Sequence, residues 1–191
     1  MGKKILFVVA GPRLAGSTAF AAQVAAEAAR EAGNEVTIAE LPKLKGGITG
    51  CLGCGCCQHG REYRCVINDG MTELVASVAK YDTVVLASPV YFFSMTSQAK
   101  AFLDRCYSLL KFIDGKLQTP LTRIQFAFIA TSGEDESSSG VKNIYKIIRD
   151  CASFTGSPKP CFLHFGCCED PKKFRSDPAV AEKAAEFGGK L

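Results

Sequence analysis

The sequence predicts an α/β fold, a parallel sheet covered by helices on both faces, and three observations carry that expectation. Strand-like and helix-like segments alternate five times along the 191 residues, the pattern that builds parallel sheets through crossover helices. The first apolar run, Lys3 to Val9, is continuous rather than alternating, as a strand buried on both faces must be. It opens directly into a glycine-bounded turn, Gly11 to Gly16, and then a helix, the strand–turn–helix order found where such sheets bind ligands.

Each element has its own local reason. Ser17 is placed to cap an alanine-rich helix running to about Ala32 and closed by Gly33. Glu35 to Glu40 reads as the second strand, and Leu41 to Gly70 as a long irregular segment, too long for a simple connection. Asp69 caps a helix near Met71 to Lys80, followed by a third strand, Thr83 to Ala87. A helix is expected over Ser94 to Phe112, a fourth strand over Ile124 to Ala130 and a polar loop over Thr131 to Gly140. Val141 to Phe154 reads as a helix, Pro160 to Phe165 as a fifth strand and Asp177 to Gly188 as a closing helix. The expectation is one domain, residues 1–191, with a cysteine-rich insertion at about 42–70.

Composition narrows the function classes. The formal charge is +4 with scattered basic residues, which argues against nucleic acid as a partner. No apolar run reaches membrane-spanning length. The short run after Met1-Gly2-Lys3-Lys4 is cut by Gly11-Pro12-Arg13 too early for a signal peptide, so the expected location is cytoplasmic. Ten cysteines in a reducing compartment point to metal or redox chemistry rather than disulfides.

Three loops at the carboxyl ends of strands are equipped for chemistry. In Gly11-Pro12-Arg13-Leu14-Ala15-Gly16-Ser17-Thr18, the helix start offers free N–H groups and the positive dipole end. Gly11 and Gly16 permit a tight turn, Ser17 and Thr18 add hydroxyls and Arg13 adds charge. Neither a Gly-Lys-Ser/Thr ending nor G-x-G-x-x-G is present, so a single terminal phosphate suits the loop better than a triphosphate or dinucleotide. After the third strand, Pro89, Val90, Tyr91 and Phe92 can lie against a flat ring. Three adjacent aromatics, Tyr91 to Phe93, cannot share one face, so at least one is exposed or meets a ligand. Thr131, Ser132 and Gly133 form a third wall, and Glu134 to Glu136 read as solvated charges.

Cys51, Cys54, Cys57 and Cys65 follow the spacing C-x2-C-x2-C-x7-C. One tight loop carrying four thiols suits an iron–sulfur cluster; zinc, a redox-active dithiol, and reduced thiols that hold no metal are the alternatives. The other six, Cys56, Cys106, Cys151, Cys161, Cys167 and Cys168, read as small apolar side chains, and His59 as a surface residue.

Together these motifs resemble the flavodoxin-like superfamily and, within it, the NADPH-dependent FMN reductase family and its iron–sulfur flavoprotein branch. The residues that carry the resemblance are Gly11-Pro12-Arg13-x-x-Gly16-Ser17-Thr18, the cysteine segment, Asp69-Gly70-Met71, and Pro89-Val90-Tyr91-Phe92 leading to Lys100-Ala101-Phe102-Leu103-Asp104-Arg105. The chain departs at Gly11, where the family often has Ser, and at Gly70, where it often has a second Asp before the Met. The resemblance implies a five-stranded sheet of order 2-1-3-4-5 in a three-layer sandwich. It implies FMN, with its phosphate on Arg13, Gly16, Ser17 and Thr18 and its ring against Pro89, Val90, Tyr91 and Phe92. It also implies a [4Fe-4S] cluster on Cys51, Cys54, Cys57 and Cys65, with Cys56 a bystander, and a homodimer or homotetramer with the flavin near an interface. Asp104 and Arg105 read as a structural ion pair.

The expected activity is that of a flavin-dependent oxidoreductase. Electrons enter singly from a ferredoxin through a cluster, or as hydride from NAD(P)H for delivery to a quinone, free flavin or another small acceptor. A flavin-binding regulatory protein is a further reading. Hydride transfer requires no side-chain acid or base, so no catalytic residue is named.

Overall fold

The computed structural model describes residues 2–60 and 62–191. Its central sheet contains β1 (Lys4–Val9), β2 (Glu35–Glu40), β3 (Thr83–Tyr91), β7 (Gln125–Thr131) and β8 (Cys161–Phe165). These five run parallel in the order β2-β1-β3-β7-β8, the 2-1-3-4-5 arrangement expected. A short β4 (Ser94–Met95) folds back antiparallel on the end of β3 and adds a sixth strand.

Successive residues of β1 face opposite sides of the sheet. Ile5, Phe7 and Val9 join one core with Val85, Ala87 and Ile129, while Leu6 and Val8 join another with Val84, Leu86 and Phe128. The first core is covered by α1 (Ser17–Glu31) and α6 (Pro178–Gly189), the second by α2 (Gly70–Ser77), α3 (Ser97–Arg105) and α4 (Val141–Thr155). The alanines of α1 have a packing role. Ala21, Ala22, Ala25, Ala26 and Ala29 are buried, and α6 approaches so closely that a Cβ on Gly188 would stand 2.0 Å from the Ala25 carbonyl oxygen.

Several boundaries differ from expectation. Gly16, in extended conformation, occupies the cap position of α1 and Ser17 is its first helical residue. α3 gives way to a 3-10 turn over Cys106–Leu109 rather than continuing to Phe112. The chain then forms a hairpin, β5 (Lys111–Ile113) and β6 (Lys116–Gln118), whose turn places Asp114 and Gly115 at positive φ. A short α5 (Pro171–Ser176), missed from sequence, is capped by Asp170 and seats Phe174 edge-on against Phe20 and Phe165. No helix of the described residues is long and apolar enough to cross a membrane.

Candidate functional site

The first site lies at the carboxyl edge of β1, β3 and β7. A pocket of ≈ 80 Å³ is lined by Gly11, Pro12, Arg13, Gly16, Ser17, Thr18, Pro89, Val90, Tyr91, Thr131, Ser132 and Gly133, together with Cys168. Every residue expected there from sequence is present except Phe92. Cys168 was not foreseen; its backbone N–H donates to the Ser132 carbonyl at 2.8 Å, and burial pushes its thiol up to about 11.

The backbone is shaped for a guest that approaches closely. No side chain caps α1, so the N–H groups of its first turn remain directed along the axis into the pocket. A Cβ on Gly11 would come within 3.2 Å of Pro89 Cδ, and one on Gly16 within 3.0 Å of the Arg13 carbonyl oxygen. The walls are braced to one another. Thr18 Oγ1 and Thr131 Oγ1 are 2.6 Å apart. Thr96, the cap of α3, donates to the Ala10 carbonyl at 2.9 Å, and its N–H donates to Ser88 Oγ at 3.0 Å. Ser132 Oγ lies 2.7 Å from His164 Nε2, and burial lowers the pKa of that imidazole. Arg175 of α5 donates to the Ala15 carbonyl, a second cation at the loop of residues 11–18 that sequence spacing could not reveal.

The rim is aromatic and open. Phe92 is 96% exposed, Phe93 56% and Tyr91 42%. Phe92 and Phe93 both adopt the left-handed region, φ 45° and 66°, a costly conformation for bulky residues and one that clusters at functional sites. Gly140 accommodates them: a Cβ there would stand 2.7 Å from Phe93 Cα.

The second site is the cysteine segment. Cys51, Cys54, Cys57 and Cys65 all line one cavity of ≈ 240 Å³, together with Arg105, Tyr107 and Ser108. Gly53 and Gly55, at φ 63° and 70°, supply the turns between the cysteines. Cys56 does not line this cavity; it borders a neighbouring one of ≈ 740 Å³ that Cys57 and Cys65 also line. Among the described residues, no three of His, Cys, Asp and Glu are gathered closely enough to hold a single metal ion. His59 is exposed, as are Glu134 to Glu136. Cys56 and Cys167 are also exposed, contrary to the apolar reading; of the remaining cysteines Cys106 is fully buried, and burial pushes its thiol up to about 12.

Arg105 anchors both ends of this segment. It donates to the Thr49 carbonyl at 2.9 Å and to the two Asp69 oxygens at 3.0 and 3.2 Å. It also donates to Thr72 Oγ1 at 2.7 Å. Burial favours a neutral Asp69, but hydrogen bonds from Arg105, the Thr49 N–H and Thr72, with the charge of Arg105, outweigh it and bring the carboxyl to about 2. The expected Asp104–Arg105 pair is therefore corrected. Adjacent helical residues point apart, so Asp104 pairs with Lys100 one turn back at 2.6 Å, while Arg105 turns inward to Asp69.

The sheet order and the carboxyl-edge pocket define a flavodoxin-like α/β protein. The sequence profile of the family described as NADPH-dependent FMN reductase matches residues 3–149, and the chain belongs to that family. Among curated proteins it is similar to an iron-sulfur flavoprotein of Archaeoglobus fulgidus, 36% identical over 102 residues. That match covers 53% of this chain and 44% of the relative, so it spans less than half of the relative's length. A second iron-sulfur flavoprotein, from Methanocaldococcus jannaschii, is 23% identical over 194 residues, covering 98% of this chain and 95% of that one. Among solved structures, an FMN-dependent NADH-azoreductase of Bacillus anthracis in complex with FMN superposes with a TM-score of 0.71 at 14% identity. That superposition covers 100% of this chain and 99% of the other; at that identity it speaks for the fold alone.

Proposed function

We propose that this protein is an FMN-dependent electron-transfer oxidoreductase that also carries a [4Fe-4S] cluster. The observation that carries the cluster is the convergence of Cys51, Cys54, Cys57 and Cys65 on one cavity, with Cys56 outside it. Four thiols from one short loop suit a cluster, whereas zinc is usually held by paired C-x2-C knuckles well apart in sequence. The whole chain acts as one flavin-binding unit, with residues 42–70 as its iron–sulfur segment.

The first pocket fits the phosphate end of FMN. Its ≈ 80 Å³ is well below the ~300–1,000 Å³ of a pocket that encloses a drug-sized ligand, so a phosphate sits inside and the ring lies over the rim. The uncapped start of α1 receives the anion, with Gly16, Ser17, Thr18 and Arg13 as its neighbours and Gly11 and Pro12 closing the turn. Pro89, Val90, Tyr91 and Phe92 orient one side of the ring, and Thr131, Ser132 and Gly133 close the other wall. When bound, FMN and the cluster supply two-electron and one-electron redox chemistry respectively. The chain's own residues hold the phosphate, fix the ring's orientation and admit a flat acceptor over the exposed aromatic rim.

Exposed aromatics at that rim suit pairing with a second copy, so a homodimer or homotetramer with the flavin near the interface is part of the reading. A chain with ten cysteines and four of them proposed as cluster ligands suits a reducing compartment, so a cytoplasmic location is part of the reading. Ferredoxin is the proposed single-electron donor.

Anaerobically purified protein tests the proposal directly. The expectation is flavin bands over broad cluster absorbance, with about four iron and four sulfide per chain, and fast bleaching by reduced ferredoxin. Flavin without iron, bleached rapidly by NADPH alone, replaces it with a second reading: an NAD(P)H-dependent flavin or quinone reductase. The open rim, with Phe92 96% exposed, is the observation that favours that second reading.

A further inference from the structure

Buried cations and unpaired donors gather around the cysteine cavity and nowhere else among the described residues. Arg105 is 1% exposed, Ser108 2% and Lys111 3%. Both Arg105 and Ser108 line the cavity that the four thiols share. Arg105 Nε and Ser108 Oγ are buried without a hydrogen-bond partner. A third such atom, Gln58 Oε1, lies in the same segment; it is an acceptor, and an anionic guest does not account for it.

Lys111 sits beneath the segment. Its ammonium donates to the Cys57 carbonyl and lies 5.9 Å from the centroid of the Tyr63 ring. No carboxylate among the described residues forms an ion pair with it. Two buried cations thus face one buried carboxylate, Asp69. Burying a charge without compensation costs several kcal/mol or more, so this arrangement calls for a further negative charge nearby.

We infer that Arg105, Ser108 and Lys111 form a positioning floor for an anionic iron–sulfur cluster and hold its reduction potential up. The inference rests on the cluster reading above. Four thiolates outweigh the positive charge of an iron–sulfur core, so the assembly is anionic and gains a further negative charge on reduction. Arg105 Nε–H and the Ser108 hydroxyl supply hydrogen bonds to its sulfur atoms, and Lys111 supplies charge behind Cys57. Hydrogen bonds and positive charge at the ligand sulfurs favour the reduced form. The balance is one electron added to the cluster, delivered by a chemical reductant such as dithionite, with no bond made or broken in the protein.

The test is a dye-mediated redox titration of the intact, anaerobically purified protein, followed by electron paramagnetic resonance of the reduced cluster. Ser108→Ala and Lys111→Gln avoid the ion pair of Arg105 and leave FMN content as an internal check on folding. Each is expected to lower the reduced-to-oxidised ratio at a fixed poise about tenfold, 59 mV for one electron. Lys111→Arg, which keeps the charge, is expected to restore most of it. Wild-type potentials in iron-replete Ser108→Ala and Lys111→Gln overturn the inference alone. Absence of iron and sulfide from the wild-type protein overturns the cluster reading and the inference together.

Discussion

The phosphate loop and the cysteine segment solve opposite problems. At the glycine-bounded loop before α1 the proposed binding surface is the backbone itself. A side chain at Gly11 or Gly16 would press on its neighbours, and Thr18, Thr131, Thr96 and Ser88 are hydrogen-bonded to neighbouring walls. The cysteine segment is irregular and mostly exposed, and its order comes from its base, where Arg105 ties Thr49 to Asp69. Its buried donors, Arg105 Nε and Ser108 Oγ, are unsatisfied. The first site satisfies its side chains and leaves backbone N–H groups open at the uncapped start of α1; the second leaves buried side-chain donors open. Two sites built so differently should respond separately to substitution.

The largest expected effect breaks the second site and spares the first. Cys54→Ser should abolish most of the iron and sulfide content while leaving bound flavin near wild-type, measured on the same anaerobic preparation. Loss of flavin together with iron would show the two regions to be one cooperative unit.

Next comes the anchor of the segment. Asp69→Asn leaves Arg105 buried without its counter-charge, which should cost about 3–5 kcal/mol in urea unfolding. The same pair predicts acid sensitivity. Asp69 has its carboxyl lowered from 3.8 to about 2. Between those values the unfolded chain binds the proton more readily, so the pair's contribution, on the order of 2 kcal/mol, is present above pH ~4 and is lost as pH falls toward ~2. Comparing wild type with Asp69→Asn from pH 5 to 2 should show the steeper loss of stability in the wild type.

At the phosphate loop, Arg13→Ala should weaken FMN binding about tenfold to a hundredfold without changing iron content, as for one charge-assisted hydrogen bond of about 1.5–3 kcal/mol. Fluorescence titration of flavin-depleted protein measures it, and unchanged affinity removes Arg13 from the phosphate site. The smallest effect belongs to the rim. Phe92 is almost fully exposed at φ 45°, so Phe92→Gly should stabilise the fold by about 1 kcal/mol while loosening the flavin. Destabilisation by this change would mean that Phe92 packs in the native state more than its exposure indicates.

The main strands were legible because each is a local apolar run whose neighbours repeat the pattern, and the phosphate loop because a glycine-bounded turn joins a strand to a helix. The segment after α3 was not. Its apolar residues continue a helical pattern through Cys106 to Phe112, but Lys111 is drawn beneath Cys57 and the chain turns back at Asp114 and Gly115. Arg105 differs from expectation for a related reason: adjacency in sequence points to Asp104, while its partner, Asp69, lies 36 residues away. Cys168 lines the pocket through the bond of its N–H to the Ser132 carbonyl, and Arg175 of α5 reaches the carbonyl of Ala15; both contacts join residues far apart in sequence.

The sequence alone determined the alternation of strands and helices, the carboxyl-edge loops and the spacing of four thiols, since each depends on residues a few positions apart. Tertiary structure decided which face of the cysteine segment carries those four thiols together, that Cys56 is excluded, and which buried cations stand beneath them. Those outcomes depend on burial and on pairings between distant residues. A buried charge takes whichever partner the packed fold brings within reach.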